Sequence, residues 1–108
     1  MTIPNRGDII YLDFTPQTGT EQAGRRPAIV LSPEKFNRVT GYASVCPISN
    51  TKRQWGFHVA LPKDLKTSGV IITDQLKNLD FRARNASVTE TVSDEVVQEC
   101  LKKIRTYL

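Results

Sequence analysis

The residues of this chain best suited to chemistry are Arg25 and Arg26, held against Pro27, with Ser49 and the pair Asp74-Gln75 further along. Proline disfavours helical backbone in the residue before it, so Arg26 stands on a stiff, extended base. A guanidinium so held offers a planar fork of donors matched to phosphate or carboxylate oxygens. Ser49 offers a hydroxyl, and Asp74 a carboxylate that could bond a nucleobase or move a proton. The basic residues Arg25, Arg26, Lys52, Arg53, Lys77, Arg82 and Arg84 could line the path of a phosphate backbone, or be ordinary solvated surface charges. Trp55, beside the basic loop 50–54, could stack on bases.

Several chemistries are excluded or disfavoured by composition. His58 is the one histidine, so a two-histidine acid–base mechanism cannot be built within one chain. Zinc ligands at usable spacing are missing, and the acidic residues are scattered singly apart from Asp94-Glu95, which disfavours a two-metal site. What remains is a route needing no metal and no cofactor. RNA carries its own nucleophile, the 2′-hydroxyl, beside each phosphodiester. An enzyme then has only to move protons and stabilise the extra charge on phosphorus. Arginine suits the second task, although its high pKa makes it an awkward base. His58, between Phe57 and Val59, reads as a packing or surface residue.

The elements that must position these residues follow from periodicity. Asp8 to Phe14, Ala28 to Leu31, Tyr42 to Ile48, Trp55 to Leu61 and Val70 to Thr73 have strand character. Residues 15–26 form a long loop between the first two. In the fourth, Phe57, Val59 and Leu61 fall on one face and His58 on the other. Ser32-Pro33 opens a helix of a turn or two, with Ser32 as its cap, ending at Thr40-Gly41. Leu76 to Arg84 predicts a short strand or a helical turn, and Ala86 to Thr89 a last small strand. Ser93 to Leu108 predicts an amphipathic helix, capped by Ser93, with Asp94 and Glu95 in its first turn. Val96, Val97, Cys100, Leu101, Ile104 and Leu108 form its apolar stripe. Short strands followed by one helix predict a mainly β fold with some α: a small β-barrel with a C-terminal helix packed on it.

At 108 residues the chain is expected to form one domain, residues 1–108. Net charge is +4 and the pI about 9.3, which suits a polyanionic partner. No run approaches the ~20 apolar residues of a membrane span, and the start lacks the apolar core of a signal peptide. Cys46 and Cys100 read as reduced core thiols, and the expected location is the cytoplasm.

Motifs in order along nearly the whole chain carry a resemblance. They are Arg6-Gly7-Asp8-Ile9, Gly19-Thr20-Glu21-Gln22-Ala23-Gly24-Arg25-Arg26-Pro27-Ala28, Val30-Leu31-Ser32-Pro33, Phe36-Asn37, Cys46-Pro47-Ile48-Ser49, Trp55-Gly56-Phe57, Gly69-Val70 and Asp74-Gln75-Leu76-Lys77. The chain resembles the MazF/PemK family of toxin endoribonucleases. The resemblance implies an SH3-like barrel (the CcdB/MazF-like kind), a homodimer, and a toxin whose cognate MazE-like antitoxin has an acidic tail and carries the complex to operator DNA. It implies cleavage of single-stranded RNA, mRNA in particular, through a 2′,3′-cyclic phosphate, leaving a 5′-hydroxyl. By position, Arg26 matches the MazF branch's catalytic arginine, Ser49 its catalytic threonine, and Glu21 the acid of the first loop. Thr20, Arg25, Asn50, Lys52, Arg53, Trp55, Asp74, Gln75, Lys77, Arg82 and Arg84 are the expected RNA contacts.

Two departures stand out. Ser49 lacks the methyl that stiffens threonine's rotamer. The histidine, arginine and aspartate of the Kid-like branch are here Thr20, Ile72 and Asp74, so only the aspartate is kept. A second reading, from the related barrels of the CcdB toxins, is a non-catalytic module that binds nucleic acid or a protein.

Overall fold

A computed structural model describes residues 2–14, 24–51 and 55–108. The strands are β1 (Asp8–Asp13), β2 (Arg25–Val30), β3 (Tyr42–Ser49), β4 (His58–Ala60), β5 (Val70–Ile72), β6 (Lys77–Asp80) and β7 (Ser87–Thr91). Helix α1 (Glu34–Thr40) lies between β2 and β3, a 3-10 turn (Thr73–Gln75) follows β5, and α2 (Asp94–Ile104) follows β7. All strand pairs are antiparallel, in the order β4-β5-β3-β2-β1-β7. β6 joins the same side of β3 as β5, pairing Tyr42–Val45 while β5 pairs Ile48 and Ser49. The 3-10 turn fills the gap between them.

The apolar runs of β1, β2 and β3 are buried on both faces. Ile9, Ile29, Cys46, Ile48 and Ile71 pack under α2 through Val96, Val97, Cys100 and Ile104. Their alternates Ile10, Leu12, Ala28, Val30, Ala43 and Val45 close with Leu79 and Phe81 into a second cluster. That alternation explains why Ile9-Ile10 and Ile29-Val30 read as unbroken hydrophobic stretches. The fold is mainly β with a C-terminal helix, as expected. The sheet wraps a core, but among the described residues its outermost strands β4 and β7 are not paired with each other, so it is not a closed barrel.

Several boundaries differ from expectation. β2 starts at Arg25, so both arginines stand on a strand and not in the preceding loop. Among the described strands, β2 pairs over Arg25–Pro27 with β1, and its pairing with β3 begins at Ala28, a place where proline is tolerated. Trp55–Phe57 is a turn and not strand: the His58 amide donates to the Trp55 carbonyl at 2.9 Å. Ser32 does not cap α1; Pro33 occupies that position. The Ser32 hydroxyl instead bonds Asn37 Oδ1 and accepts from the Ser44 amide at 2.8 Å, while Asn37 Nδ2 donates to the Pro4 and Ser32 carbonyls. A buried polar side chain must be satisfied, and here that need ties α1 to β3 and the N-terminal segment. Ser93 sits at the α2 cap position without a side-chain bond, and Leu108 is exposed beyond the helix end. Cys46 and Cys100 are buried and free. Burial pushes both thiols up, Cys100 to about 12, so neither is an available thiolate.

Candidate active site

The edge of β3 away from β2 changes partner at the 3-10 turn, and a cleft opens there. It encloses about 500 Å³ and is lined by Ser49, Thr51, Trp55, His58, Ile72, Asp74 and Gln75. The expected catalytic residue Ser49 and three expected RNA contacts, Trp55, Asp74 and Gln75, therefore meet in one place although they are spread over residues 49–75. Three local features hold them. β3 runs its full length to Ser49, pairing Ser49 with Val70. Thr73 presents Asp74 and Gln75: its amide and hydroxyl both donate to the Phe57 carbonyl, and it is fully buried. The turn 55–58 presents Trp55, whose indole Nε1 donates to His58 Nε2 at 3.0 Å while the side chain stays 55% exposed.

The end of α2 braces the same walls. Tyr107 Oη donates to the Thr73 carbonyl at 2.6 Å and its ring meets Phe57 edge-on at 5.8 Å. Lys103 Nζ donates to the Gly56 carbonyl at 2.7 Å. Burial raises the Tyr107 phenol above its ordinary value, keeping it a donor.

Arg26 does not line the cleft. β2 and β3 pair Ala28 with Pro47. Arg26 and Ser49 each lie two residues beyond that last pair, Arg26 on the strand face shared by Ala28 and Val30. Arg26 is exposed at this strand end.

Other expected contacts lie elsewhere. Arg25 pairs with Asp13 at 3.4 Å and donates to Ser87 Oγ at 3.0 Å. Arg84 Nη1 donates to the Asp13 carbonyl at 3.0 Å, and Arg82 lies 5.6 Å from the Phe81 ring centroid. Hydrogen bonds from Asn85 first, and from Arg25, hold the Asp13 carboxyl below its usual range despite opposing desolvation. Arg25 and Arg84 thus fasten the β1–β2 end of the sheet through Asp13. Asn50 belongs to a neighbouring cavity of about 290 Å³, accepting from Ser68 Oγ at 3.2 Å. Lys77 is half-buried on β6. Thr20, Glu21, Lys52 and Arg53 lie outside the described residues.

Thr51, Ile72 and His58 line the cleft without having been singled out for it. For His58 a signal existed: it follows Trp55 by three residues across a glycine, the spacing of a turn whose two end residues meet.

The family model for the PemK-like, MazF-like toxin of type II toxin-antitoxin system matches residues 5–108. This chain belongs to that family. The endoribonuclease toxin MazF of Escherichia coli K12 is 39% identical over 106 residues, covering 98% of this chain and 95% of the relative. The endoribonuclease toxin ChpB of the same strain is 39% identical over 105 residues, covering 93% and 90%. The crystal structure of MazF from Deinococcus radiodurans superposes with a TM-score of 0.93 at 40% identity, covering 98% of this chain and 96% of that one. A MazE–MazF complex from the same organism matches with a TM-score of 0.89 at 40% identity, covering 98% and 96%. The MazF-like fold is thus retained over nearly the entire chain.

Proposed function

We propose that this endoribonuclease toxin of a type II toxin–antitoxin system cuts single-stranded RNA, mRNA in particular, at the end of β2 and β3, without a metal. The observation that supports the reading is the cleft that brings Ser49 together with Trp55, Asp74 and Gln75, with Arg26 exposed two residues beyond the last β2–β3 pair, Ala28 with Pro47. In this scheme the 2′-oxygen bonds to phosphorus as the bond from phosphorus to the 5′-oxygen breaks. Arg26 stabilises the pentacoordinate intermediate and passes a proton to the departing 5′-oxygen. Ser49 donates to a phosphate oxygen. Glu21 takes the 2′-proton. The products are a 2′,3′-cyclic phosphate and a 5′-hydroxyl.

Trp55 stacks on a base while Asp74 and Gln75 present acceptors and donors to base edges. The toxin works as a cytoplasmic homodimer, and a MazE-like antitoxin covers its basic surface with an acidic tail and brings the complex to operator DNA. The identity to MazF and the likeness to a MazE–MazF complex support the pairing with such a partner. Among the described residues no helix is long and apolar enough to cross a membrane.

The rival reading is a barrel that binds without cutting. Arg26→Ala separates the two. Acid–base roles are each worth about 10²–10⁴ in rate, so turnover falls by that order with RNA binding largely kept. A binding module would instead show a modest affinity loss and no turnover in the wild type.

A further inference from the structure

His58 has one ring nitrogen engaged and one stranded. Nε2 accepts from the Trp55 indole at 3.0 Å, and an indole N–H can only donate, so Nε2 carries no proton. The neutral ring then has its proton on Nδ1, which is buried and finds no hydrogen-bond partner among the described residues. The turn is closed a second time by the His58 amide on the Trp55 carbonyl, and the two rings stand edge to face, 6.1 Å apart at 87°. Phe57 braces the indole from a 5.4 Å centroid distance. Trp55 therefore has a fixed edge and an open face on the cleft.

We propose that His58 is a positioning residue for RNA, whose neutral imidazole holds Trp55 as a stacking platform and whose protonation releases it. The proposal rests on the reading of this cleft as the RNA site. In the imidazolium, Nε2–H would meet the indole N–H, donor against donor, while Nδ1–H would remain stranded. The contact cannot survive the charge. The charged groups around His58 are few among the described residues. Asp74 from the 3-10 turn shares the cleft. From α2, Lys103 donates to the Gly56 carbonyl, with Lys102 and Glu99 beside the same turn. β5 brings only Val70, Ile71 and Ile72. The segment 52–54 adds Lys52 and Arg53 in sequence.

The direction of the effect is diagnostic. A histidine acting merely as a charge would strengthen binding to RNA on acidification. A histidine acting through Trp55 weakens it, because the stacking platform is lost.

The chain holds one tryptophan and one histidine, so both signals are unambiguous. The experiment follows tryptophan fluorescence of the RNA-free protein from about pH 8 to about pH 5, the range where histidines ordinarily titrate. In parallel it follows affinity for a mixed-sequence 2′-O-methyl RNA, which lacks the nucleophile. Wild type, His58→Gln and Trp55→Ala are compared, with circular dichroism confirming folding. The wild type is expected to show a one-proton fluorescence step and to lose about tenfold in affinity, the scale of one stacked base. His58→Gln, whose amide oxygen can accept from the indole at either pH, loses both pH responses. A fluorescence step that persists in His58→Gln, or affinity that rises on acidification, overturns the proposal. Trp55→Ala binding RNA as tightly as wild type at the higher pH overturns the RNA role of the cleft, while the fluorescence of wild type and His58→Gln still judges the Trp55–His58 switch separately.

Discussion

Gly69 and Ser49 lie so close that a Cβ built on Gly69 would stand 2.4 Å from the Ser49 carbonyl oxygen and 2.9 Å from its carbon. Gly69 also has φ +126°, a conformation that side chains rarely adopt. The proposed phosphate-binding hydroxyl is thus located by a glycine twenty residues away in the chain. Gly69→Ala must push β3's end away from β5. The expected outcome is a soluble protein, destabilised by about 1–3 kcal/mol in urea titration, the cost of local strain, with cleavage reduced further than stability alone explains. Unchanged turnover would separate Ser49 from the reaction.

Ser49 itself admits a two-way test. Ser49→Ala removes the donor and should lower kcat with little change in RNA affinity, since a bond made chiefly to the developing charge acts on the transition state. Ser49→Thr restores the methyl that restricts rotation about χ1 and should match or exceed wild-type turnover. The check is kcat against KM on one RNA for all three proteins.

The brace from α2 gives a third expectation. Tyr107→Phe keeps the ring against Phe57 and removes only the bond to the Thr73 carbonyl. Global stability should fall by about 0.5–1.5 kcal/mol, one net hydrogen bond. Because the turn carrying Asp74 and Gln75 is loosened, the preference among cleavage sequences should broaden, read by sequencing the cut ends of a long RNA.

A fourth concerns acid. Glu90 accepts from the Thr67 hydroxyl and amide, each at 2.7 Å, and from the Lys66 amide at 3.0 Å. The Thr67 side chain is the first cause of its lowered pKa, with desolvation opposing and the backbone bonds adding. A carboxyl whose folded pKa is depressed stabilises the fold above the unfolded value and loses that contribution as pH falls through the folded one. Stability should therefore decline below the ordinary glutamate range, and Glu90→Ala should flatten that part of the acid limb. Thermal melts at a series of pH values check it.

Much of this architecture was legible in the order of residues. Whereas the 3-10 turn begins at Thr73, a residue that reads as strand, the strands β1 and β3 and the α2 stripe, apart from the exposed Leu108, followed from hydrophobic period. The start of β2 did not, because Arg25-Arg26-Pro27 looks like loop, and only pairing with β1 makes it strand. Ser32 looked like a cap because sequence cannot reveal that Asn37 and Ser44 compete for its hydroxyl. The local partners of the basic residues were hidden for a related reason. Arg25 and Arg84 share a sign with Arg26, yet Asp13 engages both at the β1–β2 end of the sheet. Charge can be counted along a chain, whereas its partner depends on register. Trp55, Ser49 and Asp74 were singled out separately; that they share a cleft follows from β3 exchanging β5 for β6 at one point.

The central claim is metal-independent cleavage organised by Arg26. The measurement that tests it most directly is incubation of a long mixed-sequence RNA with purified, antitoxin-free protein in EDTA, followed by mapping of both new ends, with Arg26→Ala alongside. The account predicts discrete cuts bearing 5′-hydroxyl and 2′,3′-cyclic phosphate ends, slowed by about 10²–10⁴ in the variant. Cleavage abolished by EDTA, 5′-phosphate ends, or cuts of undiminished rate in Arg26→Ala would contradict it.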